Sequence, residues 1–163
     1  MTERTEAYAR QFEEESQRLI SEVESFSPEQ MQAHCTGEQC TVAALATHIA
    51  NVHKLGVDWI ETAAAGGSLP EVTMDDVHAM NADQFARDSN RSKDEILADL
   101  RTNGAEATKA IRALDDAQLD QSSYFKLVDA DVTIDWLVQD ILIGDIASHS
   151  ASIRAACGQG SVV

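Results

Sequence analysis

Long stretches of this chain repeat apolar residues every three to four positions, and proline interrupts that pattern at only two places, Pro28 and Pro70. An apolar period near 3.6 predicts amphipathic α-helices, because it places the apolar side chains on one face. Clusters of β-branched residues, which would favour strands, are scarce. The pattern therefore predicts an all-α protein whose helices cover Glu3–Ser25, Val42–Ala65, Met74–Asp88, Lys93–Leu114 and Ile134–Cys157.

The segments between the predicted helices are short. Ser27 followed by Pro28, with Gln30 three positions after the serine, predicts an additional short helical turn. Residues 121–132, QSSYFKLVDADV, are irregular and hold either a short hairpin or a segment that crosses the bundle. This organisation predicts an up-and-down four-helix bundle with an additional short helix and an irregular crossover segment, forming a single domain over residues 1–163.

Charge and hydropathy exclude several classes of partner. The formal net charge of -16 opposes binding to nucleic acid, which draws most of its affinity from Lys and Arg. No apolar run approaches the roughly 20 residues that span a bilayer, so no membrane association is expected. The charged amino terminus lacks the apolar core of a secretory signal, which predicts a cytoplasmic protein with reduced cysteines.

Three side chains with metal-ligand chemistry fall on predicted core faces. Asp145 and His149 lie four residues apart and therefore share one face of the last helix. His48 lies on a stripe of the second long helix formed by Leu45, Val52, Leu55 and Trp59. Two imidazoles and one carboxylate are a ligand set for a divalent metal with open coordination positions. The alternative is an ordinary helix ion pair beside a hydrogen-bonded core histidine.

The remaining histidines show no ligand partner at helical spacing. His53 follows His48 by five residues and is rotated by about 140° around the helix, so we expect it at the surface. His34 lies in the loop before the second long helix, where it could overhang a site at the mouth of the bundle. Cys35 and Cys40 are too loosely spaced for a zinc knuckle and are expected to be free thiols.

The segments CTVAALATHIANVH, HAMNADQFA, SKDEILADLRTNGAEATKAIRAL and WLVQDILIGDIASHSASIRAACG resemble the DinB-like superfamily. In particular they are similar to the N-terminal domain of mycothiol-dependent maleylpyruvate isomerases. The shared marks are His48, Asn81, and a carboxylate four residues before His149. Three positions differ from the isomerase pattern: Asp145 replaces Glu, Ser152 stands where Asp is common, and Cys40 stands where an aromatic residue commonly precedes the TV pair.

The resemblance implies a DinB-like bundle that holds a divalent metal between His48, Asp145 and His149. Zn is the metal we expect, with Ni or Fe(II) as alternatives. It also implies a low-molecular-weight thiol cofactor such as mycothiol, a small-molecule substrate and a homodimer. Asn81 and His34 are the candidate substrate-binding residues.

Two classes of function follow. The first is a metal-dependent enzyme that uses a small thiol in S-transfer or isomerisation, for which the sequence names no catalytic general base. A metal-dependent hydrolase would use the same ligands. The second class is a non-catalytic dimeric bundle that binds a metal or another ligand.

Overall fold

The computed structural model describes residues 1–158 and is predominantly helical. Its helices are α1 Glu3–Ser25, α2 Pro28–Met31, α3 Val42–Ala64, α4 Met74–Arg87, α5 Lys93–Ala113, α6 Asp116–Leu119, α7 Ile134–Trp136 and α8 Asp145–Ala156. A π-helical segment, Leu137–Gly144, joins α7 to α8. Two small antiparallel hairpins complete the chain: β1 His34–Cys35 with β2 Cys40–Thr41, and β3 Ser122–Phe125 with β4 Ala130–Thr133.

Helix α3 is the central element of the bundle. It packs against α5, α8, the π-helical segment and α4, while α1 packs against α5. The core between them contains the fully buried side chains of Phe12, Leu19, Leu45, Ile49, Ile96, Leu100 and Ile111. The all-α bundle predicted from the apolar periodicity is confirmed.

Most helices begin with a side chain that caps their first turn. Thr41 caps α3, Ser92 caps α5 and Thr133 caps α7, each by accepting a hydrogen bond from a backbone N–H of the first turn. Ser27 and Gln30 form the reciprocal capping box predicted for the short helix α2. These side-chain caps satisfy backbone N–H groups that would otherwise lack a partner at the start of each capped helix.

The predicted last helix is continuous but not uniformly α-helical. Its first half includes a π-helical segment, Leu137–Gly144, in which the N–H of residue i+5 donates a hydrogen bond to the carbonyl oxygen of residue i. The irregular segment before it is the hairpin β3–β4, in which Ser122 pairs with Thr133 and Phe125 with Ala130. The second hairpin, β1–β2, was not predicted, and its two-residue strands are too short to produce a period of two.

The expected surface position of His53 is wrong, because its side chain is completely buried. The predicted apolar stripe covers only part of the buried surface of α3, and Leu55 within that stripe is itself 39% exposed. A central helix buries a wider face than one stripe, since neighbours cover it on several sides. The face that includes Ile49, His53 and Ile60 is consequently buried as well.

Among the described residues no Asp, Glu, Lys or Arg side chain is buried, and the exposed large apolar side chains are Met1, Leu55, Met74, Met80, Tyr124 and Val128. Across residues 1–158, no helix combines the length and the apolar character that a membrane crossing requires.

Gly56 permits the close approach of the π-helical segment to α3. A Cβ atom added there would lie 2.5 Å from Leu142 Cδ2 and 3.1 Å from Leu142 Cγ, and the leucine is fully buried. We expect Gly56→Ala to lower the free energy of unfolding by about 1–2 kcal/mol, because overpacking outweighs the gain in helix propensity. Urea denaturation of both proteins measures the difference.

Gly37→Ala is the matched control, since a Cβ at Gly37 would meet no atom within 4 Å. Its stability should stay within about 0.5 kcal/mol of the wild type. A Gly56→Ala variant as stable as the wild type would contradict the close packing of Gly56 on Leu142.

Candidate metal centre

The side chains of His48, Asp145 and His149 converge between α3 and α8. Asp145 Oδ1 lies 3.9 Å from His48 Nε2 and 3.3 Å from His149 Nε2. One ligand atom from each residue lies within 4.8 Å of the other two. The side chains of His48, Asp145 and His149 are 12%, 17% and 21% exposed, so the group is largely buried but still accessible to solvent.

The local structure accounts for this convergence. Asp145 and His149 stand one turn apart at the start of α8 and therefore project from the same face. Ile146, Ser150 and Ile153 bury the adjacent face of α8 in the bundle. The packing of α8 on α3 then brings the aspartate and the histidine opposite His48. The three candidate ligands that the sequence analysis named thus lie close together.

The donor set fits a divalent metal ion. Metal-to-ligand bonds of about 2.1 Å in a tetrahedral site separate the ligand atoms by roughly 3.4 Å. The separations observed are 3.3 Å and 3.9 Å from Asp145 Oδ1, and all three ligand atoms lie within 4.8 Å of one another. In addition, Asp145 Oδ2 is buried and has no hydrogen-bond partner among the described residues. A buried carboxylate oxygen without a partner is costly, and a metal ion would remove that cost.

The two histidines have opposite electrostatic environments. Burial lowers the pKa of His48, and the charge of Asp145 offsets this effect only in part. Burial also opposes the charged form of His149, but the hydrogen bonds and charges of Asp145 and Glu38 outweigh it, so the pKa of His149 is raised. His48 therefore favours the neutral form that a metal ligand needs, whereas His149 holds its proton more tightly.

An open cavity of about 720 Å³ lies against this group. His48 and His149 contribute to its wall, and Phe85 of α4 contacts His48 edge to face, with ring centroids 5.5 Å apart. Asn81 and His34, the candidate substrate-binding residues, both line the cavity. His78, Thr41, Ala82 and Ser89 line it as well, together with Gly37, Glu38 and Gln39 of the β1–β2 loop.

Comparison with known proteins identifies the family of this chain. The model of the DinB superfamily matches residues 11–142, which is more than half of the chain. The chain belongs to the DinB superfamily. No curated protein and no solved structure matches it. The matched residues include His48 and end before Asp145 and His149, so the ligands on α8 depend on the geometry described above.

The DinB superfamily is metal-binding, and the His48, Asp145 and His149 group is the candidate site for a metal in this member. Nothing in the comparisons connects the chain specifically with mycothiol-dependent maleylpyruvate isomerases, so that part of the resemblance remains a prediction. His53 lies outside the group of potential ligands in residues 1–158, in agreement with its rotation away from His48.

Glu38 is a site residue that the sequence analysis did not identify. It lies in the loop between β1 and β2, and its Oε1 is 3.0 Å from His149 Nδ1. Ser152 Oγ donates a hydrogen bond of 2.8 Å to the same oxygen. More than a hundred residues separate Glu38 from His149, and no spacing rule connects a loop residue to a helix at that distance along the chain. Only the packing of the hairpin on α8 reveals the contact.

The cysteines of this DinB-superfamily member are poor nucleophiles. Cys35 and Cys40 face each other across the β1–β2 hairpin as buried free thiols. Burial raises the pKa of Cys35 to about 12 and that of Cys40 to about 11. Cys40 lines the cavity, but its sulfur stays protonated at neutral pH.

Proposed function

We propose that His48, Asp145 and His149 bind a divalent metal ion, with Zn expected first, and that the protein is a metal-dependent enzyme. The observation that carries the proposal is the convergence of three donor atoms beside an open cavity in a member of a metal-binding superfamily. Three protein ligands leave coordination positions for a substrate or cofactor, which is the stoichiometry of catalytic sites.

A low-molecular-weight thiol of the mycothiol type is the proposed cofactor, in S-transfer or isomerisation. A divalent metal held at this site would act as a Lewis acid and lower the pKa of a thiol bound beside it. Burial keeps the pKa of the cavity-lining Cys40 at about 11, so this cysteine would not compete as a thiolate with an external thiol at neutral pH. Among residues 1–158, the cavity therefore has no protein thiolate at neutral pH.

The protein side chains would bind and orient the reactants. The carboxylate of Asp145 would balance the positive charge of the centre, and the edge of Phe85 against His48 would hold that ring in place. Asn81 and His34 project polar groups along the cavity wall, where they would bind the small-molecule substrate. No residue is assigned as the general base.

The proposed function is tested on protein purified without a histidine tag and loaded with Zn²⁺, Ni²⁺ or Fe²⁺. A panel of low-molecular-weight thiols, including mycothiol, is incubated with electrophilic acceptors, and thiol consumption is followed with a colorimetric reagent. We expect the metal-loaded protein to accelerate consumption of at least one thiol relative to the metal-stripped protein.

Three other outcomes separate the alternatives. Bound metal without acceleration for any thiol would contradict the thiol cofactor. Bound metal with ester or amide hydrolysis would favour the hydrolase. Failure to retain any of the three metals would contradict the metal centre itself and favour a non-catalytic bundle.

A further inference from the structure

We propose that Glu38 is a positioning residue of the metal centre, which fixes the ring of His149 so that its Nε2 is directed at the metal. The inference rests on the proposed metal centre and extends it from the two helices to the β1–β2 loop. Glu38 does not touch the metal position, because its contact is with the opposite nitrogen of the His149 ring.

The contacts of Glu38 are directional. Its Oε1 lies 3.0 Å from His149 Nδ1 and accepts a hydrogen bond of 2.8 Å from Ser152 Oγ. The Glu38 side chain is 16% exposed, and its second oxygen, Oε2, is buried without a hydrogen-bond partner in residues 1–158. A carboxylate this shielded has little freedom to move away from the histidine.

The two nitrogens of His149 face different carboxylates. Nδ1 faces Glu38, whereas Nε2 lies 3.3 Å from Asp145 Oδ1 on the side of the other candidate ligands. A metal ion needs the lone pair of Nε2, so in the metal-bound ring the hydrogen must be on Nδ1. Glu38 is placed to accept that hydrogen. Its carboxylate would therefore select the binding-competent tautomer and increase the basicity of Nε2.

The hairpin holds Glu38 in this position. The strands on either side pair in register, His34 with Thr41 and Cys35 with Cys40, and the Gln39 N–H donates to the Cys35 carbonyl oxygen at 2.9 Å. The same loop contributes Gly37, Glu38 and Gln39 to the wall of the cavity. One short loop thus shapes the substrate cavity and supports a metal ligand.

The competing explanation is that Glu38 only fastens the hairpin to α8. Ser152→Ala separates the two roles, because it removes one contact between the hairpin and α8 and leaves the Glu38–His149 contact in place. A fastening role predicts similar effects of Ser152→Ala and Glu38→Ala on metal binding. A positioning role predicts a much larger effect of Glu38→Ala.

The first test compares Zn²⁺ affinity in wild type, Glu38→Gln, Glu38→Ala and Ser152→Ala, by competition with a chromophoric chelator. Loss of a residue that supports a ligand typically lowers metal affinity about 10- to 100-fold. We expect Glu38→Ala in that range, Glu38→Gln less affected, and Ser152→Ala changed by less than about threefold. The exposed Glu61, mutated to Gln, is the matched control and should bind as the wild type does.

The second test needs no metal. In ¹⁵N-labelled protein at alkaline pH, where the ring is neutral, the histidine ¹⁵N shifts report which nitrogen carries the hydrogen. We expect His149 to be protonated on Nδ1 in the wild type and to shift toward the Nε2-protonated form in Glu38→Ala. A merely structural role of Glu38 would not move this equilibrium.

The outcomes distinguish this inference from the metal centre on which it rests. Wild-type protein that takes up no metal would overturn both. Tight binding by the wild type with equal affinity in the Glu38 variants, or an unchanged His149 tautomer in Glu38→Ala, would overturn only the positioning role.

Discussion

Replacement of His149 by alanine is expected to lower the affinity for Zn²⁺ or Ni²⁺ by more than about 100-fold. Residues that only support a ligand contribute about 10- to 100-fold to metal affinity, so loss of a ligand should exceed that range. His149 is also the residue that connects Asp145 to Glu38, through 3.3 Å and 3.0 Å contacts of its two nitrogens. The measurement is metal content by elemental analysis after dialysis, with competitive titration for the residual affinity.

Thermal denaturation measures the loss of metal binding in His149→Ala independently. At a free metal concentration about 100 times the dissociation constant, binding stabilises the fold by about 2.7 kcal/mol, or roughly 5–10 °C in Tm for a chain of this size. The wild type should show this shift, and His149→Ala should not. His78→Ala is the control, because His78 lines the cavity but lies outside the group of potential ligands. Equal shifts in wild type and His149→Ala would refute the centre.

Because of His53, the free energy of unfolding is expected to fall by about 3 kcal/mol between pH 6.5 and pH 4. The His53 ring is fully buried against Phe12, and neither nitrogen has a hydrogen-bond partner among the described residues. Burial lowers the pKa of His53 to about 4, and the charge of Asp145 opposes this only weakly. Below pH 6.5 the unfolded chain binds a proton that the folded chain does not, so the free energy of unfolding falls.

The His53→Leu variant measures this contribution, since leucine fills a similar volume and does not titrate. Urea denaturation of the metal-free proteins at several pH values should show a stability loss about 3 kcal/mol smaller for His53→Leu across the window. His78→Leu, at an exposed position, should leave the wild-type pH dependence unchanged. If His53→Leu retained the full loss of stability, the protonation of His53 would not be its cause.

The helices were predictable because their signals are local. Apolar periodicity and the capping residue Ser27 act within a few positions of the chain, and the structure places the helices and the Ser27 cap where they were expected. The four-residue spacing of Asp145 and His149 is equally local, and the stripe assignment placed His48 in the same interior. The proximity of these three candidate ligands could therefore be predicted from one sequence.

The remaining features depend on what packs against each helix. His53 was assigned to the surface because periodicity locates an apolar face but not its width, and α3 has neighbours on several sides. Glu38 contacts His149 only because the β1–β2 hairpin packs on α8. The strands of this hairpin have two residues each, so the sequence carries no recognisable pattern that predicts them. The π-helical segment Leu137–Gly144 has the composition of an ordinary buried helix, so no local signal indicates its wider turns.

The π-helical segment affects the direction in which the candidate ligands on α8 project. Each of its hydrogen bonds closes a loop one residue longer than in an α-helix, and Asp145 follows directly after the segment. If the same residues formed an uninterrupted α-helix, Asp145 and His149 would be turned by about 100° and directed away from His48. A substitution that converted the segment to an α-helix would therefore keep all three candidate ligands and still lose their convergence. The geometry of the candidate metal centre thus depends on the number of residues per turn in this segment as well as on residue identities.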